Sequence, residues 1–210
     1  MIVGITGLIG SGKSTVADLL VEQFDFKKES FAGTLKDVVA NVFSWDRALL
    51  EGDTNESREW RETVDTWWAD NLNMPGLTPR KVLQIWGTEV ARNGFHDDIW
   101  VVSLMNKLRN SSDNIVITDC RFRNEFDTIR KLGGKIIRVT RGPEPEWYGL
   151  AVIANSCSCD TTRQQYIIRL ETEYKVHASE YSSIGFNYDY VIQNDGSLDE
   201  LREKIHKIFS

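Results

Sequence analysis

The chain has 210 residues, 41% of them hydrophobic and 27% charged, with a formal net charge of -6. That length suits one α/β domain carrying an insertion better than two independent cores. The acidic balance argues against nucleic acid as a partner, because a phosphate backbone selects for clustered Lys and Arg, whereas a small phosphorylated molecule needs only a few local cations.

In chain order, Ile2-Val3-Gly4-Ile5-Thr6 is a short apolar run of the kind a buried parallel strand requires. A glycine-rich turn follows, and Val16, Leu19, Leu20 and Phe24 then recur at helical spacing over 14–24. A second short strand is expected near 28–31 and a helix over 35–43. Residues 46–75 are charged, tryptophan-rich and free of strand signals, and the pattern predicts one helix over 56–72. Thr78-Pro79-Arg80 opens another, with Thr78 as cap and Pro79 in the first turn. Its apolar face is Val82, Leu83, Ile85, Trp86 and Val90, and Gly87-Thr88 reads as a break in it. A helix over 99–108 completes a helical insertion at 45–110. Trp60, Trp67, Trp68, Trp86 and Trp100 are expected mostly in core.

Strand signals resume at 114–118, followed by a helix over 123–132 that ends at Gly133-Gly134, and a strand over 135–140. From 141 to 184 only one helix is legible, over 161–174. A last strand is placed at 188–192, and Ser197-Leu198-Asp199-Glu200 is a capping box that opens a helix over 198–209. Strands separated by helices imply a parallel sheet covered on both faces. No stretch approaches the ~20 apolar residues of a membrane span. Met1 to Leu8 lacks the basic leader of a signal peptide, so a cytoplasmic location is expected. Cys120, Cys157 and Cys159 have neither zinc spacing nor a framework pattern, and read as free thiols.

Gly7-Leu8-Ile9-Gly10-Ser11-Gly12-Lys13-Ser14 matches G-x-x-x-x-G-K-[ST] in full, after a strand and before a helix. Glycines at these places let backbone N–H groups turn inward around phosphate oxygens, and the helix start adds its positive dipole end. Gly10, Ser11, Gly12, Lys13, Ser14 and Thr15 are therefore the ATP-binding set. Lys13 reaches the β- and γ-phosphates, and the Ser14 hydroxyl joins a magnesium shell. Asn-Lys-x-Asp, the usual guanine signature, is absent. Asn194-Asp195-Gly196-Ser197 follows the last strand, where it either turns against the nucleotide base or simply caps the next helix.

Asp119 stands at the carboxyl end of the 114–118 strand, where ligands of open α/β sheets gather. Its carboxylate can order magnesium or hold a sugar, and Arg121 can grip a phosphate bidentately. Glu125 lies one turn into the next helix. Arg58, Arg61 and Arg80 in the insertion and Arg141 past a strand end are further cations that could hold two polyanions in line. His96, His177 and His206 are scattered and suggest no metal site.

An ordered series of these segments resembles the deoxynucleoside monophosphate kinases of tailed bacteriophages. It comprises Gly7 to Ser14, Phe31 to Asp37, Pro79 to Glu89 with Asp98 to Val101, Asp119-Cys120-Arg121 with Glu125, His177 to Glu180, and Asn194 to Ser197. The resemblance implies that Arg80, Gly87, Thr88, Trp100, Asp119, Arg121 and Glu125 contact the monophosphate, with Lys36 and Ser179 in the same matched segments. It also implies a lid within 141–185, for which Arg163 and Arg169 are candidate cations. Phe122 departs from the polar residue expected beside Asp-x-Arg.

The expectation is thus a P-loop kinase fold: α/β, with a central parallel sheet of about five strands, a helical acceptor-binding insertion at 45–110, and a lid region at 141–185. The expected reaction is γ-phosphoryl transfer from ATP, with Mg2+, to a (deoxy)nucleoside monophosphate. Lys13, Arg121 and Arg141 form the catalytic set, and Ser14 and Asp119 the metal set. Lys36, Arg58, Arg61, Arg80, Gly87, Thr88, Trp100, Asp119, Arg121, Glu125 and Ser179 form the acceptor set. The partner is a small molecule rather than nucleic acid or membrane, and a homodimer is left open. A kinase of another phosphorylated metabolite such as phosphomevalonate is the nearest alternative, and a regulatory or assembly ATPase a more distant one. If viral, the protein is expected in host cytoplasm.

Overall fold

The computed structural model describes residues 1–210, which separate into two compact units. One combines Met1–Ser30 with Ser112–Ser210, and the other is Phe31–Ser111.

The first unit is built on five strands: β1 (Ile2–Thr6), β2 (Phe26–Glu29), β3 (Asn114–Ile117), β4 (Lys135–Thr140) and β5 (Tyr190–Gln193). They are ordered β2-β3-β1-β4-β5, and every pairing is parallel. β1 lies centrally because Val3 and Ile5 are fully buried, as a strand covered on both faces demands. Helices α1 (Lys13–Phe24) and α11 (Leu198–Phe209) place Val16, Leu19, Leu20, Leu201 and Ile205 in one core with Val116, Ile137, Val139 and Ile192. Helix α7 (Arg123–Lys131) packs against β1 and β4. That approach needs Gly4, where a Cβ would come within 2.6 Å of Ile129 Cδ1 and 2.8 Å of Cys120 Sγ. Complete burial of Ile129 in this seam contributes about 1.5–3 kcal/mol.

Two strand positions differ from expectation. β2 runs 26–29 rather than 28–31, with Phe26 buried and opposite Asn114. β5 begins at 190 rather than 188; just ahead of it Tyr188 donates its hydroxyl to Ser183 O at 2.8 Å, and Asp189 N donates to Ile136 O at 2.9 Å. The stretch read as holding one helix holds three: α8 (Tyr148–Ser156), α9 (Asp160–Thr172) and α10 (Ala178–Tyr181). They enclose a core of Ala151, Ala154, Leu170, Tyr181 and Ile184, against which Leu8 packs.

The second unit is helical: α2 (Gly33–Phe43), α3 (Asn55–Glu62), α4 (Thr66–Asn71), α5 (Pro79–Gln84), a π-helix (Ile85–Asn93) and α6 (Ile99–Leu108). Leu35, Val39, Phe43, Leu50, Ala69, Leu77 and Val82 form its core, lined by Trp45, Trp60, Trp68, Trp86 and Trp100. Trp67 is the exception among the expected core tryptophans, being 61% exposed.

The single helix expected over 56–72 is broken at 63–65. Asp65 ends it by capping α4: its carboxylate accepts from Trp68 N at 3.1 Å and from Trp45 Nε1 at 2.7 Å, competing with helical continuation as short acidic side chains do. The break expected at Gly87-Thr88 is instead a wider helix that continues through both residues. Gly87 is buried there, and a Cβ on it would meet Leu35 Cδ2 at 2.8 Å.

Candidate active site

Because β1 and β3 are adjacent and parallel, the loops that follow them leave the same edge of the sheet. Residues 7–12 and Asp119-Cys120-Arg121 are thereby neighbours by topology. The ladder is prolonged by Cys120 N donating to Ile5 O at 3.2 Å.

The loop after β1 has the form its glycines predict. Gly7, Gly10 and Gly12 adopt φ of 148°, 79° and 98°, a region that other residues enter only at a cost. Ser11 N closes a turn onto Leu8 O at 3.2 Å. α1 opens at Gly12 with no side-chain cap on its first-turn amides, so those donors remain available to an anion. Ser11 Oγ is buried without a hydrogen-bond partner, and the space where Gly10 would carry a Cβ is open to 4 Å. An orphaned hydroxyl, uncapped amides and open space beside a lysine fit the phosphates of a nucleoside triphosphate.

Lys13 folds back over this loop, its Nζ donating to Gly7 O at 2.8 Å and Leu8 O at 2.9 Å. Burial, then the positive charge of Arg121, push its amine down to about 8, while Glu180 and Asp119 partly restore it. Ser14 and Thr15 are exposed at the start of α1.

Arg121 is fixed at two levels. Its backbone N and that of Phe122 donate to Glu125 Oε2 at 2.7 and 3.0 Å. Its side chain donates from Nη1 to Ser179 O at 3.0 Å and to Glu180 Oε1 at 2.8 Å. Burial alone would lower the guanidinium pKa; Glu180, Asp119 and Glu125 more than offset that and raise it. Glu125, 2% exposed, thus shapes the turn that carries Arg121. Ser179 takes part through its carbonyl, since its hydroxyl is paired with His177 Nδ1 at 2.9 Å. Cys120 is buried beneath the loop, and burial pushes its thiol well above the ordinary range.

On the far side of β1, Asn194 follows β5 and donates from Nδ2 to Ser11 O at 2.9 Å. Asp195 Oδ1 accepts from Gly142 N at 2.7 Å, and Ser197 caps α11 through Glu200 N at 3.2 Å. The Asn194-Asp195-Gly196-Ser197 segment therefore caps a helix and also braces the phosphate loop. Arg141 is exposed just past β4. Arg163 is tied to Cys157 O at 2.7 Å and Asp160 at 3.2 Å, and Arg169 to Glu173 at 3.2 Å.

The remaining expected site residues lie in the helical unit. Lys36 pairs with Glu51, which also takes Arg47. Arg58 donates to Gly52 O, Asp53 O and Asn55, and Arg61 to Glu51 O, so both wrap the 51–55 turn. Arg80 pairs with Glu62 at 3.2 Å. Trp100 Nε1 donates to Gly87 O at 2.9 Å, which ties α6 to the π-helix that carries Thr88.

Of the expected residues, the structure brings Lys13, Asp119, Arg121, Glu125 and Ser179 near one another. Sequence reasoning missed Asn194 as a brace and Glu180 as the partner of Arg121. The signals were the unusual Asn after a terminal strand and a carboxylate beside Ser179, but a contact across 59 or 183 residues leaves no local pattern.

The family model for deoxynucleotide monophosphate kinase matches residues 54–146. A protein of Acanthamoeba polyphaga mimivirus named "Putative deoxynucleotide monophosphate kinase" is 34% identical over 155 residues, covering 67% of this chain and 74% of its own. The deoxynucleotide monophosphate kinase of Enterobacteria phage T4 is 23% identical over 257 residues, covering 96% of this chain and 95% of its own. Among solved structures, a shikimate kinase from Aquifex aeolicus aligns over 100% of this chain and 96% of that one, at 14% identity and a TM-score of 0.44. With the phosphate loop, the Asp-x-Arg turn and a relative of this similarity, the chain belongs to the deoxynucleotide monophosphate kinase family.

Proposed function

We propose that the protein transfers the γ-phosphoryl group of ATP to a deoxynucleoside monophosphate, giving the diphosphate and ADP. The observation that carries this is the uncapped start of α1 beneath Gly10 and Gly12, with Lys13 and the orphaned Ser11 hydroxyl at its mouth. In phosphoryl transfer the protein contributes positioning and charge neutralisation. The loop amides from Gly10 to Thr15 hold the donor phosphates. Lys13 exchanges its two carbonyl acceptors for phosphate oxygens, which costs it no new ordering. The Arg121 guanidinium, held toward the same field as Lys13, neutralises the transferring group, with Arg141 as a further cation. No separate base is needed, since an acceptor phosphate oxygen is already anionic.

The acceptor is read by Lys36, Arg58, Arg61, Arg80, Gly87, Thr88, Trp100 and Asp119. Ser179 and Glu125 act through the turn and side chain of Arg121. The donor set also suits magnesium: Ser14 and Asp119 are hard oxygen ligands, and no cluster of three or more His, Cys, Asp or Glu side chains forms a closed cage. Magnesium keeps waters and substrate oxygens with one or two carboxylates; when bound it supplies charge neutralisation across the phosphates. No helix is long and apolar enough to cross a membrane, and the viral relatives support host cytoplasm as the place of reaction.

A coupled ADP-release assay over dGMP, dTMP, dCMP, AMP and phosphomevalonate tests the reading. At least one deoxynucleoside monophosphate should sustain turnover and phosphomevalonate none. Lys13→Ala should lower kcat about a hundredfold or more, the scale of an oriented charge contact in a transition state. ADP release that is equally fast without any acceptor would overturn it.

A further inference from the structure

We propose that Glu180 is the positioning residue for Arg121, holding the guanidinium by one nitrogen so that its bidentate edge stays open to a phosphate. This rests on the reading that Arg121 meets the phosphates.

Both side-chain bonds of Arg121 leave from Nη1, one to Glu180 Oε1 and one to Ser179 O. Nε and Nη2, the parallel pair that matches two oxygens of a phosphate, have no protein acceptor among its bonds. The Glu180 carboxylate is the anionic member of this grip, its side chain only 16% exposed against 35% for Arg121. It also lies in the field of Lys13, as does Arg121. Asp119 and Glu125 share in the charge balance, but Glu180 alone among these carboxylates bonds the Arg121 side chain. Without it, Arg121 would have one neutral carbonyl to orient it.

The segment that presents Glu180 does not depend on this ion pair. Tyr181 is buried in the core of α8 and α9, with its hydroxyl on Glu171 at 2.8 Å. His177 Nδ1 accepts from Ser179 N at 3.2 Å, and Ser182 Oγ donates to Ala178 O at 2.7 Å. Removing the Glu180 charge should leave α10 in place, so catalysis and folding can be read separately.

The experiment compares Glu180→Gln, Glu180→Asp, Arg121→Ala and the double variant Glu180→Gln/Arg121→Ala in steady-state kinetics, with thermal denaturation as a fold control. Expected for Glu180→Gln is a tenfold or greater fall in kcat, less than twofold change in KM for ATP, and an unchanged Tm. Glu180→Asp, which keeps the charge, should recover part of the loss. In the Arg121→Ala background, Glu180→Gln should add nothing, because two groups acting as one unit are not additive. Normal kcat in Glu180→Gln with Arg121→Ala inactive would sink the positioning role alone. Full activity in Arg121→Ala would sink the role of Arg121 itself, and this inference with it. A lower Tm with unaltered kcat would assign Glu180 to stability and overturn the proposal.

Discussion

Lys13 is the residue on which the resting state and the working state make opposite demands. Its amine is held in a part-buried loop by two backbone carbonyls, and burial with the charge of Arg121 pushes it down to about 8 from 10.5. The unfolded chain thus binds this proton more tightly than the folded one, so stability from this group is poorest below pH 8 and improves as pH rises from 8 toward 10.5. Lys13→Met, free of nucleotide and metal, should therefore have a higher Tm than the parent at pH 7, with the gap closing by about pH 10.5. Differential scanning across that range checks it, and a variant less stable than the parent at pH 7 would refute it. The parent should also gain about 2.7 kcal/mol of stability at ATP a hundredfold above its Kd, a gain the Met variant largely forfeits. That Lys13 is a phosphate ligand was legible from its motif, whereas its resting bonds to Gly7 O and Leu8 O were not.

At the scale of elements, the glycines of the phosphate loop are not equivalent. Alanine at Gly10 would meet nothing within 4 Å and would bear only the left-handed backbone cost, about 1–2 kcal/mol. Alanine at Gly12 would bear that cost and also place its Cβ 2.2 Å from Asn194 Nδ2. Gly12→Ala should accordingly be the more destabilised of the two in urea titration, and Asn194→Ala should relieve part of the difference. Elements set by local signals were readable. Thr78 and Ser197 cap where their spacing says, and β3 carries the unbroken apolar run Ile115-Val116-Ile117. Elements decided by tertiary contact were not. The 56–72 pattern is helical throughout, yet Asp65 finds Trp45 across 20 residues and stops it. α8 was missed because its small buried faces, Ala151 and Ala154, give a weak periodic signal. Gly87 looks like a breaker in sequence but serves close packing on Leu35.

For the whole molecule, the order β2-β3-β1-β4-β5 puts the first strand at the centre and leaves β2 and β5 as edges. Opening of the edges costs fewer buried contacts, and Val191 of β5 is already 60% exposed. Native-state hydrogen exchange should therefore find Val3 to Thr6, with Val116 and Ile117 of β3, most protected, and β5 amides exchanging well before them. Equal protection across all five strands would contradict this. The parallel sheet was foreseeable from strands alternating with helices, but strand order was not, because it depends on pairings such as Ile2 with Ile115, which no local pattern encodes.

The bond from Asn194 to the carbonyl of Ser11 spans 183 positions. During synthesis the motif for the donor substrate precedes its brace by that whole interval, so the two leave the ribosome well apart in time. A nascent polypeptide halted before Asn194 would carry every glycine of the loop and still lack the support that holds it ready. Competence to handle the triphosphate therefore waits for Asn194 to emerge, whichever strands have paired before then.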